Sequence, residues 1–141
     1  MPRTALLCLL AFALWPVLLV TAIGAFRVSQ VLARKVAPNG FPSGTPHGGD
    51  LYWRLNRAHI NALESLPVFA AIVLAGALAH VDAPTFDTLA EVAVGARIGQ
   101  SLVHVAGSTN HHVNVRFSFF VTQLVCFVLM AARVAGALGA G

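Results

Sequence analysis

The sequence predicts an all-α membrane protein, a four-helix bundle in which each helix crosses the bilayer. Hydrophobic residues make up 57% of the chain and charged residues only 10%, and the mean hydropathy is +0.78. A soluble domain of 141 residues carries more charge than this. Four apolar stretches each approach the roughly 20 residues that a transmembrane helix needs. We therefore expect one membrane domain over residues 1–141.

The first two predicted spans flank the longest loop. The first, about residues 4–26, has no charged residue and contains Trp15 and Pro16. Because this uncharged run exceeds the ~7–15 residues of a signal-peptide hydrophobic region, we expect it to stay in the mature protein. The second, about residues 51–80, carries charged side chains in its N-terminal third. The loop between them is rich in glycine and proline and holds Arg27, Arg34 and Lys35.

The third predicted span covers about residues 84–106 and the fourth about residues 113–138. The acidic residues near the second turn are Asp82, Asp87 and Glu91, whereas the basic residues concentrate in and around the first loop. Loops rich in lysine and arginine face the cytoplasm, so we expect the first and third loops there and both termini outside. The net charge of +4 is scattered and is better explained by lipid headgroups as partners than by nucleic acid.

A polar stripe on the second helix is the main functional signal. Arg57, Asn61 and Glu64 stand at offsets 0, 4 and 7, within a helical sector of about 60°. Charge at membrane depth costs at least ~2.5–3.5 kcal/mol and therefore usually marks a functional interior. The stripe is about 10 Å long, which matches an extended tripeptide, and arginine suits carboxylate recognition. Alternatively, Arg57 and Glu64 neutralise each other and Asn61 bonds a neighbouring helix.

Two later helices add candidates. Arg97, Ser101 and His104 repeat the 0, 4, 7 spacing on the third helix, with Gln100 just beyond their sector. His104 can hold a proton or orient a ligand, and it can equally be a packed hydrogen-bonding group. Arg116 opens the fourth span, where its alternative role is to reach the lipid headgroups. No metal-ligand spacing is evident, so we expect no metal.

The run from Arg57 to Phe69 matches the pattern R-A-x-x-N-x-x-E-x-x-P. It resembles the signature of the MAPEG family, the membrane-associated proteins of eicosanoid and glutathione metabolism. The resemblance implies a homotrimer of four-helix subunits that binds glutathione as co-substrate between adjacent subunits, near the cytoplasmic side. Carried over by position, it implies that Arg57, Asn61 and Glu64 bind glutathione and that Arg97 joins them.

The same resemblance implies catalytic roles for Arg116 and His104. Arg116 would lie near the glutathione sulfur and favour the thiolate, the competent nucleophile. Enzymatic relatives commonly place tyrosines where this chain has Gln100 and His104, and its one tyrosine is Tyr52. The run from Gln100 to His104 resembles bacterial members of the family, which implies a location in a bacterial inner membrane.

The function expected from these features is that of a membrane-bound glutathione transferase. It would activate the glutathione thiolate for attack on lipophilic electrophiles or peroxides that enter from the bilayer. A non-catalytic lipid-binding or scaffold member of the same family is the first alternative. A small proton-coupled transporter that uses Glu64 as its relay is the second, although the sequence shows no inverted repeat.

Overall fold

The computed structural model describes residues 3–42, 44–81 and 83–139 and contains four α-helices in those ranges. They are α1 (Arg3–Leu32), α2 (Asp50–Leu78), α3 (Ala83–Ala106) and α4 (Asn110–Gly139). The predicted all-α bundle is confirmed, and each helix contains or closely matches a predicted span. Asp82, one of the predicted acidic residues, lies outside the described residues.

Only α1, α2 and α4 are long and apolar enough to be identified as membrane spans from length and composition. The predicted third span forms a helix over nearly the expected residues but falls outside that group. The reason is the polar content of α3, which has Asp87 and Glu91 in its first half and four buried polar residues in its second, Arg97, Gln100, Ser101 and His104. The bundle removes the four buried residues from lipid, although they lower the mean hydropathy of the helix.

The packing order leaves the bundle open on one side. Helix α1 packs on α2 and α3, and α4 packs on α3 and α2, whereas the backbones of α1 and α4 do not approach each other in the described ranges. The core at the end away from the long loop is aromatic. The Phe69 ring stacks on Phe127 at 5.5 Å and contacts Phe12 in a tilted arrangement at 4.8 Å, measured between ring centroids. This apolar core leaves the other end of the bundle for polar groups.

Small residues set the contact between α1 and α2 at that other end. Ala58 and Ala62 are buried one turn apart and pack against Leu19 of α1. Small side chains let helices approach closely within lipid. Because this face of α2 packs against α1, the neighbouring face with Arg57 and Asn61 is turned towards α3 and α4.

We predict that Gly76→Ala destabilises the protein. A methyl group added at Gly76 would stand 2.5 Å from the ring of Phe86, which is fully buried on α3. Overpacking of this kind costs about 1–3 kcal/mol. Thermal unfolding in detergent micelles, followed by circular dichroism, measures the change.

Gly136→Ala is the matched control, because a methyl group there meets no atom within 4 Å in the described part of the chain. Adding Phe86→Leu to Gly76→Ala should recover part of the loss, since the two side chains share one space. Equal unfolding temperatures for Gly76→Ala and Gly136→Ala would contradict the packing described here.

Candidate functional site

A cavity of about 250 Å³ opens between α2, α3 and α4 at the end of the bundle that carries the long first loop. We call it the polar cavity. It brings together four of the six side chains that the sequence singled out, from three helices. Its lining consists of Arg57, Asn61, Gln100, His104, Val113, Arg116, Phe117 and Phe120.

The wall from α3 is formed by Gln100 and His104, one helical turn apart and both buried. Nδ2 of Asn61 donates to Nδ1 of His104 at 3.3 Å. Since Nδ1 accepts, the neutral ring carries its proton on Nε2, where it can act as a donor. The buried Oε1 of Gln100 has no hydrogen-bond partner within the described residues. A buried polar atom without a partner is costly, so this wall favours a polar guest.

Two arginines reach the polar cavity from opposite sides. Arg57 on α2 is exposed and Arg116 on α4 is half-buried. Neither guanidinium makes a hydrogen bond to another residue that the structure describes. The described lining contains no aspartate or glutamate. Two guanidinium groups in a lining without a carboxylate are chemically suited to an anion.

A third arginine nearby has a structural role. Nε of Arg54 donates to the carbonyl oxygen of Val105 at 3.0 Å. This carbonyl belongs to the last turn of α3, where carbonyl groups have no partner within the helix and a positive charge is favourable. Arg54 thereby holds the C-terminal end of α3, and with it His104, against α2.

Arg97 lies below the polar cavity rather than in its wall. Its side chain is 2% exposed, and its Nη2 donates to Oγ of Ser65 on α2 and to Oε1 of Gln123 on α4. The guanidinium also lies 5.8 Å from the centre of the Phe12 ring. Arg97 therefore does not line this cavity, and its hydrogen bonds join α3 to α2 and α4.

Glu64 stands apart from the other members of the predicted stripe. It is exposed on the surface of α2, two turns beyond Arg57, and it does not line the polar cavity. Within the described residues it forms no hydrogen bond with Arg57. The two charges therefore do not neutralise each other directly, as the structural alternative required.

The apolar wall of the polar cavity was missed at the sequence level. It consists of Val113, Phe117 and Phe120 on α4, which share with Arg116 the offsets 0, 3, 4 and 7 of one helix face. That spacing was available in the sequence. It was hidden because most other positions of α4 are apolar as well.

Comparison with known proteins gives one finding. The model of the MAPEG family matches residues 5–136, nearly the whole chain. A search of curated proteins returns no match.

We predict that Arg97→Ala lowers the free energy of unfolding by about 2–4 kcal/mol, because it leaves a void and removes the donor from the half-buried Ser65 and the buried Gln123. Arg133→Ala, on the exposed surface of α4, should change it by less than about 0.5 kcal/mol. Thermal unfolding in micelles compares the two variants. If Arg97→Ala unfolds like Arg133→Ala yet no longer binds glutathione, the ligand contact expected from the sequence regains support.

Proposed function

Because the chain belongs to the MAPEG family, we propose that it binds glutathione in the polar cavity and activates its thiol for attack on lipophilic electrophiles or peroxides. Family membership supports a membrane function of the glutathione-transferase type or a related one. The observation that carries the finer proposal is the convergence of Arg57 and Arg116 on one cavity whose described lining holds no acid. Glutathione has two carboxylates and one ammonium group, so its net charge is negative.

Residues of α2 would bind the charged ends of glutathione. Arg57 offers a guanidinium fork to a carboxylate, and such charge-assisted pairs are among the strongest hydrogen bonds in proteins. The amide of Asn61, held by His104, lies one turn further along. Glu64 would accept from the ammonium group at the open rim, since its carboxylate is exposed beside the cavity rather than inside it.

Residues of α3 and α4 would act on the sulfur of glutathione. A thiol has an unperturbed pKa of about 8.5, and a nearby guanidinium favours its thiolate. Arg116 supplies that charge, and Nε2–H of His104 can donate a hydrogen bond to the sulfur anion. The thiol proton leaves to water, the sulfur electron pair forms the new bond to the electrophile, and the leaving group departs with its own pair. Positioning and electrostatic stabilisation thus carry the reaction without a metal.

The second substrate would enter along the apolar wall. Phe117 and Phe120 are exposed on α4 and line the same cavity as Arg116. A lipophilic electrophile that diffuses in the bilayer can reach these rings without crossing water. Its reactive atom would then meet the sulfur held beside Arg116.

Assembly into a homotrimer would complete the site. Glu64 is exposed on an apolar helix, and a charge that faces lipid is costly. A neighbouring subunit packed on this face would cover Glu64 and close the open side of the polar cavity.

We further propose the bacterial inner membrane as the location, with the termini outside. The arginines of the first loop, on the same side as the polar cavity, would then face the cytoplasm.

A second candidate function is a non-catalytic lipid-binding or scaffold role. It is favoured by one observation: the chain's single tyrosine, Tyr52, does not line the polar cavity. Glutathione that binds without a lowered thiol pKa and without conjugation to a panel of hydrophobic electrophiles would support this role. Binding together with conjugation would support the transferase.

We predict that Arg57→Ala weakens glutathione binding by about tenfold or more, because a charge-assisted pair contributes about 1.5–3 kcal/mol. Isothermal titration calorimetry of the purified protein in detergent measures the dissociation constant. Arg133→Ala, an equal change of charge on the remote part of α4, should leave it within about twofold of the original. Equal weakening in both variants would show that Arg57 acts only through net charge.

We predict that Arg116→Ala raises the pKa of bound glutathione by about one unit or more, because the sulfur anion loses its nearest positive charge. The thiolate absorbance of the bound peptide, followed against pH, reports this shift. Glutathione should still bind, since Arg57 and Asn61 remain. Unchanged thiolate formation in the variant would overturn the role of Arg116.

A further inference from the structure

A second cavity, of about 350 Å³, lies between the last turns of α1 and the first loop. We call it the Arg27 groove. It shares no lining residue with the polar cavity. It combines one guanidinium and one amide with an apolar wall and is lined by Arg27, Val28, Val31, Leu32, Pro38, Asn39 and Phe41.

The guanidinium of Arg27 is held in place by its surroundings. Its Nε donates to Oη of Tyr52 at 2.7 Å, and its central carbon lies 5.2 Å from the Phe41 ring and 5.9 Å from the Tyr52 ring. Tyr52 is 3% exposed and stacks on Phe26 at 4.7 Å. Flexible arginine side chains lose entropy when they bind, and these contacts have already removed much of that freedom.

The two terminal nitrogens of Arg27 remain available. Neither makes a hydrogen bond among the residues that the structure describes. With Nε occupied by Tyr52, the terminal pair presents donors in the fork that matches a carboxylate or a phosphate. The groove thus holds an oriented donor pair at one end.

The position of the groove relative to the membrane indicates which other groups a ligand would carry besides its anionic one. Arg27 follows an uncharged run that begins after Arg3, and the distance between them along the helix is about 36 Å at 1.5 Å per residue. This slightly exceeds the roughly 30 Å thickness of the hydrocarbon layer, which places Arg27 at headgroup level. Val28 and Leu32 beside it are 57% and 77% exposed, so their apolar surface faces acyl chains.

We propose that the Arg27 groove binds one amphiphile with an oxyanion head. The phosphate or carboxylate pairs with the terminal nitrogens of Arg27, and the first part of the acyl chain lies against Val28, Val31 and Leu32. Its source is either an anionic phospholipid or a free fatty acid, which present the same chemistry to the guanidinium. The site does not depend on glutathione binding, since the two cavities are separate.

General attraction of a basic loop to the membrane would not produce such a site. Arg34 and Lys35 are in the same segment, exposed, and outside the lining of the groove. Arg34 therefore provides a control with an equal change of charge in the same segment. Only Arg27 combines the ring contacts, the tyrosine hydroxyl and the apolar wall.

Native mass spectrometry of the purified protein in detergent tests the proposal with three probes: dioleoyl phosphatidic acid, oleate and dioleoyl phosphatidylcholine. We expect one anionic amphiphile per chain to bind at least about tenfold more tightly than the zwitterionic lipid, as one charge-assisted pair implies. Arg27→Gln should remove that preference, while Arg34→Gln should change it by less than about twofold. Tighter binding of phosphatidic acid identifies a phospholipid as the ligand, and tighter binding of oleate identifies a fatty acid.

A second variant keeps the charge and fills the space. Val31→Phe places a ring in the groove and should reduce binding of the anionic amphiphile by about tenfold while Arg27 is unchanged. Thermal unfolding shows that each variant is folded before it is compared. Equal losses in Arg27→Gln and Arg34→Gln, no preference for either anionic probe, or full binding by Val31→Phe would each overturn the proposal.

Discussion

The buried guanidinium of Arg97 is the constraint on which the position of the polar cavity depends. A charge inside an apolar bundle is tolerated only where polar partners surround it. Those partners come from two different helices, Ser65 of α2 and Gln123 of α4. They fix the rotation of α3 about its own axis. Gln100 and His104 follow Arg97 at offsets of 3 and 7 residues, so the same rotation turns them into the gap between α2, α3 and α4.

The polar cavity differs from the surroundings of Arg97 in the state of its charges. Nη2 of Arg97 meets acceptors on two neighbouring helices, although its buried Nε has no partner among the described residues. Arg57 and Arg116 meet no acceptor at all among those residues. Two positive groups that face one gap repel each other unless an anion or water lies between them. If Arg57 were paired with Glu64, the polar stripe of α2 would contain an ion pair with a purely structural role. Because Glu64 does not line the cavity, the two arginines keep their charge without a carboxylate beside them in the described lining, and the proposed anionic ligand would supply one.

The sequence predicted the helices and the polar stripes on α2 and α3 from local spacing. That His104 and Arg116 act together with Arg57 and Asn61 was implied only by the family resemblance, and the structure places these four residues around one cavity. The depth of Arg97 was not predictable in this way. Its spacing to His104 places both on one helical face, and the partners Ser65 and Gln123 on neighbouring helices decide that Arg97 is enclosed while His104 lines a cavity. The spacing of residues along a helix predicts the direction in which their side chains point, whereas the residues of the neighbouring helices determine whether those side chains are buried.

The location of Tyr52 limits which residues could take part in a reaction at the proposed site. Its hydroxyl accepts from Arg27 at the junction of α1 and the first loop, away from the polar cavity, so the groups that can act on a bound sulfur are Arg116 and His104. A guanidinium stabilises an anion but stays protonated, so it is a poor proton donor. A proton for the substrate would therefore come from Nε2 of His104 or from water. In the proposed reaction, an electrophile with a good leaving group needs only a stabilised thiolate, whereas a peroxide also needs such a proton for its departing oxygen.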